Sequence, residues 1–397
     1  MSDGEFRRPG QMVSRRRFIG GAAALAAGAS FAGAARAQSA IDGVLAAPSR
    51  GGWNDQFDTR AASVRNVASA QPVFSSNTLY AMQSALGQYQ QIAMNGGWPT
   101  VPDNAKLSLG SQSNAVAALR QRLAISGDLD RSAGNSTAYD TYVDSAVKRF
   151  QARHGLPADG AVGEFTFKAL NVPADMRLGQ LQTNIDRLST IPVDSGRFVM
   201  VNIPAASIEA VENGRVVQRH TAVVGKIDRQ TPILDSKITN LNLNPYWHAP
   251  ASIVRKDIIP LMQKDPTYLT RNDIVIYAAD GSVIPPETID WNTDQAVRYL
   301  FRQNPGRMNA MSSVKINFPN PHAVYMHDTP QQSVFSQLMR FESSGCVRVQ
   351  NVRDLIVWLA RDTQGWDRAA IEQVIAARTR KDVDLSNPVP LHFTYLT

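Results

Sequence analysis

Alternating apolar and polar residues in the second half of the chain restrict the fold most strongly. Residues 197–203 read RFVMVNI, and residues 207–211 and 216–224 repeat the two-residue period of a strand with one buried face. The tripeptide ENG at 212–214 separates the last two runs, and an Asn-Gly pair between such runs is a strong signal for a hairpin turn. The pattern therefore predicts an antiparallel β domain beginning at about residue 196.

Residues 252–313 interrupt this strand pattern. Apolar residues recur at helical spacing in 253–262 and 297–303, and a strand pattern resumes at 314–318. An insertion between strands of one sheet is well placed to be a lid, since lids usually cover a substrate site. The alternative is a surface insertion with no role in binding, and we favour the lid. Further elements are predicted as helices at 351–359 and 371–377 and a closing strand at 389–395.

The first half of the chain is predicted to be helical. Residues 38–104 should be a scaffold that contains one amphipathic helix, with apolar residues recurring through 79–89 and a break at GGWP, 96–99. Residues 105–172 show three short helical patterns, which suffice for a minimal bundle. Residues 173–195 should form a connecting helix. The predicted fold class is therefore α+β.

The only cysteine of the chain, Cys346, follows His327 by 19 positions. A nearby imidazole is the commonest means of activating a thiol as a nucleophile. Side chains alternate between the two faces of a strand, so Tyr325 and His327 should share one face, and Cys346 and Arg348 should share another. Spacing alone is a weak signal, because a lone cysteine is more often a small buried hydrophobe.

The motifs HDTP and SSGCVRV resemble those of L,D-transpeptidases with a YkuD-type catalytic domain, in particular the large periplasmic branch. Ser344 stands where many relatives carry a second histidine, which leaves His327 as the one base in the motif. The segments 107–123 and 147–171 resemble the two halves of a peptidoglycan-binding module, and this branch also carries a capping subdomain. Whether the small module still binds the cell wall is left open, since fold does not ensure function.

The resemblance implies roles for seven residues. Cys346 is the expected nucleophile and His327 the general base, and the amides of Gly345 and Cys346 are candidate oxyanion donors. Arg348 should favour the thiolate, hold a substrate carboxylate or support the loop. The substrate-binding candidates are Tyr325, Trp247 and Ser344, although the two aromatic residues could equally be core. Asp328 should fix its loop and is not expected to orient the imidazole. A backbone carbonyl could serve to orient it.

The implied reaction is acyl transfer without a cofactor. Cys346 would attack a tetrapeptide stem of peptidoglycan, release D-alanine, and pass the acyl group to a diaminopimelate amine, which gives a 3-3 cross-link. Three alternatives remain: transfer to an amine of an outer-membrane protein, transfer to water as a carboxypeptidase or endopeptidase, and a non-catalytic scaffold that binds the wall.

The N-terminal 37 residues are predicted to be an export signal. The sequence SRRRFIG at 14–20 resembles a twin-arginine signal, an Ala- and Gly-rich run follows, and Ala35-Arg36-Ala37 offers a cleavage point. This predicts a periplasmic protein with no membrane span after cleavage, the alternative being a retained anchor. Residues 1–37 hold six of the 41 basic residues and two of the 34 acidic residues. The rest of the chain therefore has 35 basic and 32 acidic residues. Such a weak surplus argues against nucleic-acid binding, and the histidine spacing suggests no metal site.

Overall fold

The computed structural model of the protein describes residues 70–104, 106–191 and 196–397. The predicted signal at 1–37 and the stretch 38–69 of the predicted scaffold lie outside these residues. The helices of the N-terminal part are α1 Ser76–Met94, α2 Asn114–Ile125, α3 Thr141–Arg153, α4 Glu164–Leu170 and α5 Ala174–Thr190. No helix in the described ranges is long and apolar enough to cross a membrane.

The scaffold and connecting helices pack against each other. α1 covers the predicted amphipathic segment and contacts α5, the predicted connector. Gly96 and Gly97 end α1 with φ angles of 88° and 75°, and the Gly97 amide donates to the Ile92 carbonyl at 2.8 Å. Glycine tolerates this left-handed conformation without a steric penalty, which explains why the helix ends at the predicted break.

The small module is the predicted three-helix bundle. α2, α3 and α4 enclose their own apolar core, which includes Leu119, Leu123 and Phe150. Its 128–139 connection is held by the buried Arg120, whose guanidinium donates to the carbonyls of Ala133 and Ala138 at 3.0 Å each. Buried charge of this kind is tolerated when its donors are paired.

The C-terminal domain is a mostly antiparallel sheet that closes on itself. Its strands are β1 Arg197–Asn202, β2 Ser207–Glu212, β3 Arg215–Gly225, β4 Leu234–Leu243, β9 Val314–Asn317, β10 Met326–His327, β11 Phe341–Ser343, β12 Val347–Val349 and β13 Lys381–Thr394. They lie in the order β11-β3-β12-β10-β9-β4-β13-β1-β2, and β2 also pairs with β3. This last pairing closes the sheet into a barrel, in which β11 alone of these strands has a single neighbour.

The hairpin between β2 and β3 confirms the predicted turn. Asn213 and Gly214 have φ angles of 50° and 72°, and Glu212 pairs with Arg215. Positive φ at both central residues is the geometry that the right-handed twist of two paired strands favours.

Two helices, α9 Val352–Ala360 and α10 Arg368–Ala376, complete the core of the barrel. Leu355, Ile356 and Ile371 from these helices pack with strand residues such as Leu241 and Val347. Both helices were predicted from the sequence. The closing strand β13 begins eight residues earlier than predicted, and it carries an irregularity between Asp384 and Val389.

The insertion forms a second small subdomain with its own sheet, in the order β5-β8-β6-β7. Its elements are β5 Trp247–Ala249, α6 Ala251–Ile253, a π-helical turn Val254–Ile258, α7 Ile259–Lys264, α8 Tyr268–Arg271, β6 Ile274–Tyr277, β7 Val283–Ile284 and β8 Leu300–Gln303. The helix predicted at 253–262 is present. The helix predicted at 297–303 is wrong, because β8 pairs with both β5 and β6 and this pairing overrides the local spacing.

Thr231 joins the end of β3 to the loop before β12. Its hydroxyl accepts from the Gly225 amide at 2.9 Å and donates to the Gly345 carbonyl at 2.8 Å. We expect Thr231→Val to lower the free energy of unfolding by about 1–3 kcal/mol, since two buried backbone groups lose their partner. Urea unfolding measures this change. Thr239→Val, at a half-buried position of β4, is the control and should stay within about 0.5 kcal/mol of wild type; equal effects of both variants would contradict the account.

Candidate active site

The two strands that carry the candidate residues are parallel neighbours. Met326 pairs with Val347, and His327 pairs with Arg348. Met326 and Val347 are fully buried in the barrel core, so the alternation of the strands places His327, Arg348 and the flanking Cys346 on the opposite face. The structure therefore brings together the residues that the sequence separates by 19 positions.

His327 is held in one orientation by a backbone carbonyl. Its Nδ1 lies 2.5 Å from the carbonyl oxygen of Asp328, and this contact assigns the proton to Nδ1 and leaves Nε2 free to accept. Burial, followed by the charge of Arg348, lowers the pKa of His327 to about 4. The imidazole is consequently neutral at pH 7 and able to take a proton.

The side chain of Asp328 fixes the loop, as predicted, while its charge raises the pKa of His327 against the larger effect of burial. Its carboxylate accepts from the Ser313 hydroxyl at 2.7 Å and from the Thr329 amide at 2.8 Å. These bonds tie β10 to the segment before β9 and set the position of the carbonyl that orients His327.

Cys346 is half-buried, and burial raises the pKa of its thiol. Hydrogen bonds from the backbone and side chain of Tyr325, and then the charges of Lys315 and Arg348, act in the opposite direction without cancelling the effect of burial. The resting site is therefore a neutral thiol beside a neutral imidazole. The surrounding donors and cations are placed to stabilise negative charge on sulfur once the proton leaves.

Tyr325 connects the components of the site. Its ring meets the His327 ring edge-on at 5.5 Å between centroids, and its side chain hydrogen-bonds Cys346 and Trp247. Burial raises the pKa of Tyr325, so its hydroxyl stays protonated and donates. Tyr325 and Trp247 were each predicted to be either a wall of the site or a core residue. Both lie at the site.

The Gly345 amide forms a hydrogen bond within its own loop. Gly345 adopts a φ of 112°, a conformation that favours glycine, and its N–H donates to the Ser343 hydroxyl at 3.1 Å. That amide is buried and already occupied, because the Ser343 side chain folds back beneath the loop. The Cys346 amide is thus the remaining oxyanion candidate of the predicted pair.

Ser344 lies in a contact that the sequence did not reveal. Its hydroxyl is 2.8 Å from Arg229 Nη1, and the same guanidinium binds both carboxylate oxygens of Asp257 at 2.5 and 3.1 Å. Asp257 belongs to the π-helical turn of the insertion. This Arg229 bridge ties the loop before Cys346 to the insertion. The three residues are far apart in the sequence, so no local pattern predicts their contact.

A large cavity of about 970 Å³ lies between the insertion and the barrel. Its wall includes Trp247 and Gln303 from the insertion and Asp328 and Arg348 from the catalytic face. Four arginines line it against two aspartates: Arg307, Arg348, Arg353 and Arg368, with Asp328 and Asp354. Arg353 pairs with Glu372 and Arg368 pairs with Asp354, so Arg307 and Arg348 are the cations best placed to meet a carboxylate in the cavity.

Lys315 is a further site residue that the sequence pattern does not reveal. It pairs with His327 across β9 and β10, and its Nζ lies 4.4 Å from the centroid of the Tyr325 ring. The alternation in VKIN places Lys315 outward, but only the pairing of β9 with β10 shows which residue it faces. Within the described ranges, no group of three or more His, Cys, Asp or Glu side chains could hold a metal ion.

Comparison with known proteins yields two family matches. Residues 196–374 match the L,D-transpeptidase catalytic domain of the YkuD family. Residues 112–170 match the family described as "Putative peptidoglycan binding domain".

Individual relatives cover parts of the chain. A Haemophilus influenzae protein named "Putative L,D-transpeptidase" is 33% identical over 219 residues, or 55% of this chain and 44% of that protein. The chain thus spans less than half the length of this relative. The Mycobacterium tuberculosis amidase CwlM is 38% identical over 89 residues, which are 20% of this chain and 22% of that protein. The solved L,D-transpeptidase of Xylanimonas cellulosilytica is 17% identical, with 74% of this chain and 99% of that chain covered and a TM-score of 0.24.

The Arg229 bridge predicts how access to Cys346 is controlled. We expect Asp257→Asn to speed alkylation of Cys346 by iodoacetamide severalfold, because the insertion loses its charged tie to the loop. The rate is measured by mass spectrometry at fixed pH. Asp294→Asn breaks an exposed ion pair inside the insertion, Arg255–Asp294 at 3.0 Å, and should leave the rate unchanged. A rate in Asp257→Asn equal to that of the control would refute the tie.

Proposed function

We propose that the protein cross-links peptidoglycan with Cys346 as nucleophile, because residues 196–374 match the L,D-transpeptidase catalytic domain of the YkuD family and residues 112–170 match a peptidoglycan-binding family. The observation that carries the proposal is the neutral pair of Cys346 and His327 on adjacent parallel strands. The oriented Nε2 of His327 is the base that such a thiol requires.

The first half-reaction forms a thioester. The Cys346 sulfur attacks the carbonyl carbon of the penultimate residue of a tetrapeptide stem while Nε2 of His327 takes the thiol proton. The Asp328 carbonyl stabilises the imidazolium that results, and the Tyr325 hydroxyl and the charge of Lys315 stabilise the sulfur as it becomes negative. The Cys346 amide donates to the oxyanion. The carbon–nitrogen bond then breaks, and D-alanine leaves with the proton from His327.

The second half-reaction returns the enzyme to its resting state. The side-chain amine of a diaminopimelate residue attacks the thioester carbon, His327 takes the amine proton, and the carbon–sulfur bond breaks. The proton passes to sulfur, and the product is a 3-3 cross-link. Arg348 lines the large cavity and lies on the same strand face as Cys346, which supports a stem that carries carboxylates as the acyl donor.

The same thioester would also form if water or an amine of an outer-membrane protein were the acceptor, so these remain the alternative outcomes. The match of residues 112–170 to a peptidoglycan-binding domain supports a role in holding the enzyme at the wall. A non-catalytic wall-binding scaffold is less well supported, because it does not require an oriented imidazole beside a thiol. Action on the wall places the protein outside the cytoplasm, which agrees with the twin-arginine motif at 14–20.

Product analysis tests the reaction. With a defined disaccharide-tetrapeptide, the wild type should release D-alanine and give a dimer that lacks one D-alanine, both resolved by mass spectrometry. Cys346→Ala should give neither product. A tripeptide without dimer would instead support hydrolysis, and absence of any reaction in wild type, or an unchanged reaction in Cys346→Ala, would refute the proposal.

Replacement of the base tests the assignment of His327. We expect His327→Ala to slow formation of the acyl-enzyme with a carbapenem by about a hundredfold or more, the usual scale for loss of a general base. Intact-mass spectrometry over time gives the rate. His322→Ala removes an exposed histidine five positions upstream and should acylate like wild type. Normal acylation of His327→Ala would exclude it as the base.

The pH dependence of acylation follows from the pKa shifts. His327, with a pKa lowered to about 4, accepts a proton at every pH above that value, and the raised pKa of Cys346 keeps the thiol neutral at pH 7. The acylation rate should therefore fall on the acid side only near pH 4. An acid limb near the ordinary histidine value of about 6.5 would contradict a neutral resting pair.

A further inference from the structure

The insertion leaves the barrel at Pro245 and returns to it through residues 309–313, the outgoing turn, directly before β9. Two amide side chains lie where these segments meet, and both are almost fully buried: Gln303 is 3% exposed and Asn309 is 1% exposed. Buried amide groups in folded proteins are satisfied by hydrogen bonds. The partners of these two side chains therefore show which segments they hold in place.

Asn309 joins the two segments. Its Nδ2 donates to the carbonyl oxygen of Pro245 at 3.0 Å and to that of Asn304 at 2.9 Å. Its Oδ1 accepts from the Met311 amide at 2.8 Å, and its backbone carbonyl accepts from the Ser312 amide at 2.8 Å. The Asn309 side chain thereby fixes the conformation of the outgoing turn and its distance from the segment that enters the insertion.

Gln303 holds the same turn from the body of the insertion. Its Nε2 donates to the carbonyl oxygens of Asn272 at 2.8 Å and Met308 at 2.7 Å, and its Oε1 accepts from the Ala310 amide at 2.8 Å. Gln303 is the last residue of β8, and Asn272 directly follows α8. The position of the outgoing turn therefore depends on the position of the insertion.

The outgoing turn ends in a contact with the loop that orients the imidazole. The Ser313 hydroxyl and amide both donate to Oδ2 of Asp328, at 2.7 and 3.2 Å. The backbone carbonyl of Asp328 in turn lies 2.5 Å from Nδ1 of His327. Ser313, Asp328 and His327 are 7%, 8% and 7% exposed, so water competes little for these bonds. Hydrogen bonds and short backbone links thus connect Asn309 with the imidazole.

We propose that Asn309 and Ser313 are positioning residues for His327, because they hold the loop whose Asp328 carbonyl fixes the imidazole. This inference rests on the proposed function, in which His327 is the base. Neither Asn309 nor Ser313 lines the large cavity, so each acts through Asp328 and not on a bound ligand. Supporting hydrogen bonds of this kind keep a functional group within the narrow range of positions that it needs. The insertion thus controls the tautomer and orientation of the base, in addition to lining the cavity.

The resting enzyme gives the first test, without any substrate. Nitrogen-15 NMR at pH 7 measures which imidazole nitrogen of His327 carries the proton. In Ser313→Ala the Asp328 carboxylate loses its hydroxyl donor, and we expect an Nε2-protonated form to appear beside the Nδ1-protonated form of the wild type. Ser313→Thr keeps the hydroxyl and should retain the wild-type tautomer.

Acylation by a carbapenem gives the second readout. We expect Ser313→Ala and Asn309→Ala to lower the maximal rate of acyl-enzyme formation about tenfold or more, since a shift of about 1 Å in a catalytic group can cost about a hundredfold. The carbapenem concentration that gives half the maximal rate should not change. Ser282→Ala is the matched control for the hydroxyl, because it removes an exposed donor to Asp280 at 2.6 Å elsewhere in the insertion. Asn292→Ala removes an exposed amide of the insertion, and both controls should acylate like wild type.

The outcomes separate the two proposals. Thermal unfolding shows which variants are folded, and Ser313→Ala decides the test if Asn309→Ala is not. A wild-type tautomer or a wild-type acylation rate in folded Ser313→Ala would overturn the positioning role. Failure of the wild-type enzyme to react with a carbapenem or to release D-alanine would overturn the proposed function, whereas the NMR comparison still tests the link from the insertion to His327.

Discussion

The parallel pairing of β10 with β12 is the interaction on which the candidate site depends. It sets His327 opposite Arg348 and thereby places Cys346 on the same face of the sheet as the imidazole. The core faces of the same strands, Met326 and Val347, are fully buried. A slip of one residue in this register would turn the reactive side chains into the core, and the cost of burying them holds the register in place.

Burial also sets the charge state of the pair. It lowers the pKa of His327 to about 4 and raises the pKa of Cys346, so neither group is ionised at rest. In the proposed reaction, negative charge develops on sulfur only when a substrate carbonyl is attacked, among donors and cations that are already in position: Tyr325, Lys315 and Arg348. Such preorganised groups stabilise the transition state without reorganisation.

Local sequence patterns predicted most of the fold and only part of the site. The strands, the Asn213-Gly214 turn and the helices around Leu119 and Ile356 follow from periodicity and turn chemistry. The β8 strand did not, because its pairing with β5 and β6 decides its conformation. The Arg229–Asp257 contact and the position of Lys315 also depend on pairings between distant segments. The hydrogen bond from the Gly345 amide to Ser343 was not predicted either, because loop hydrogen bonds are not encoded in residue spacing.

The central claim is that the resting site is neutral and that His327 carries its one proton on Nδ1. Nitrogen-15 NMR of the histidine side chains at pH 7, with His327→Gln to assign the signals, measures this directly. The account predicts a protonated Nδ1 and an unprotonated Nε2 for His327, since the Asp328 carbonyl accepts from Nδ1. Chemical shifts of an imidazolium with both nitrogens protonated would show a thiolate–imidazolium pair and contradict the account.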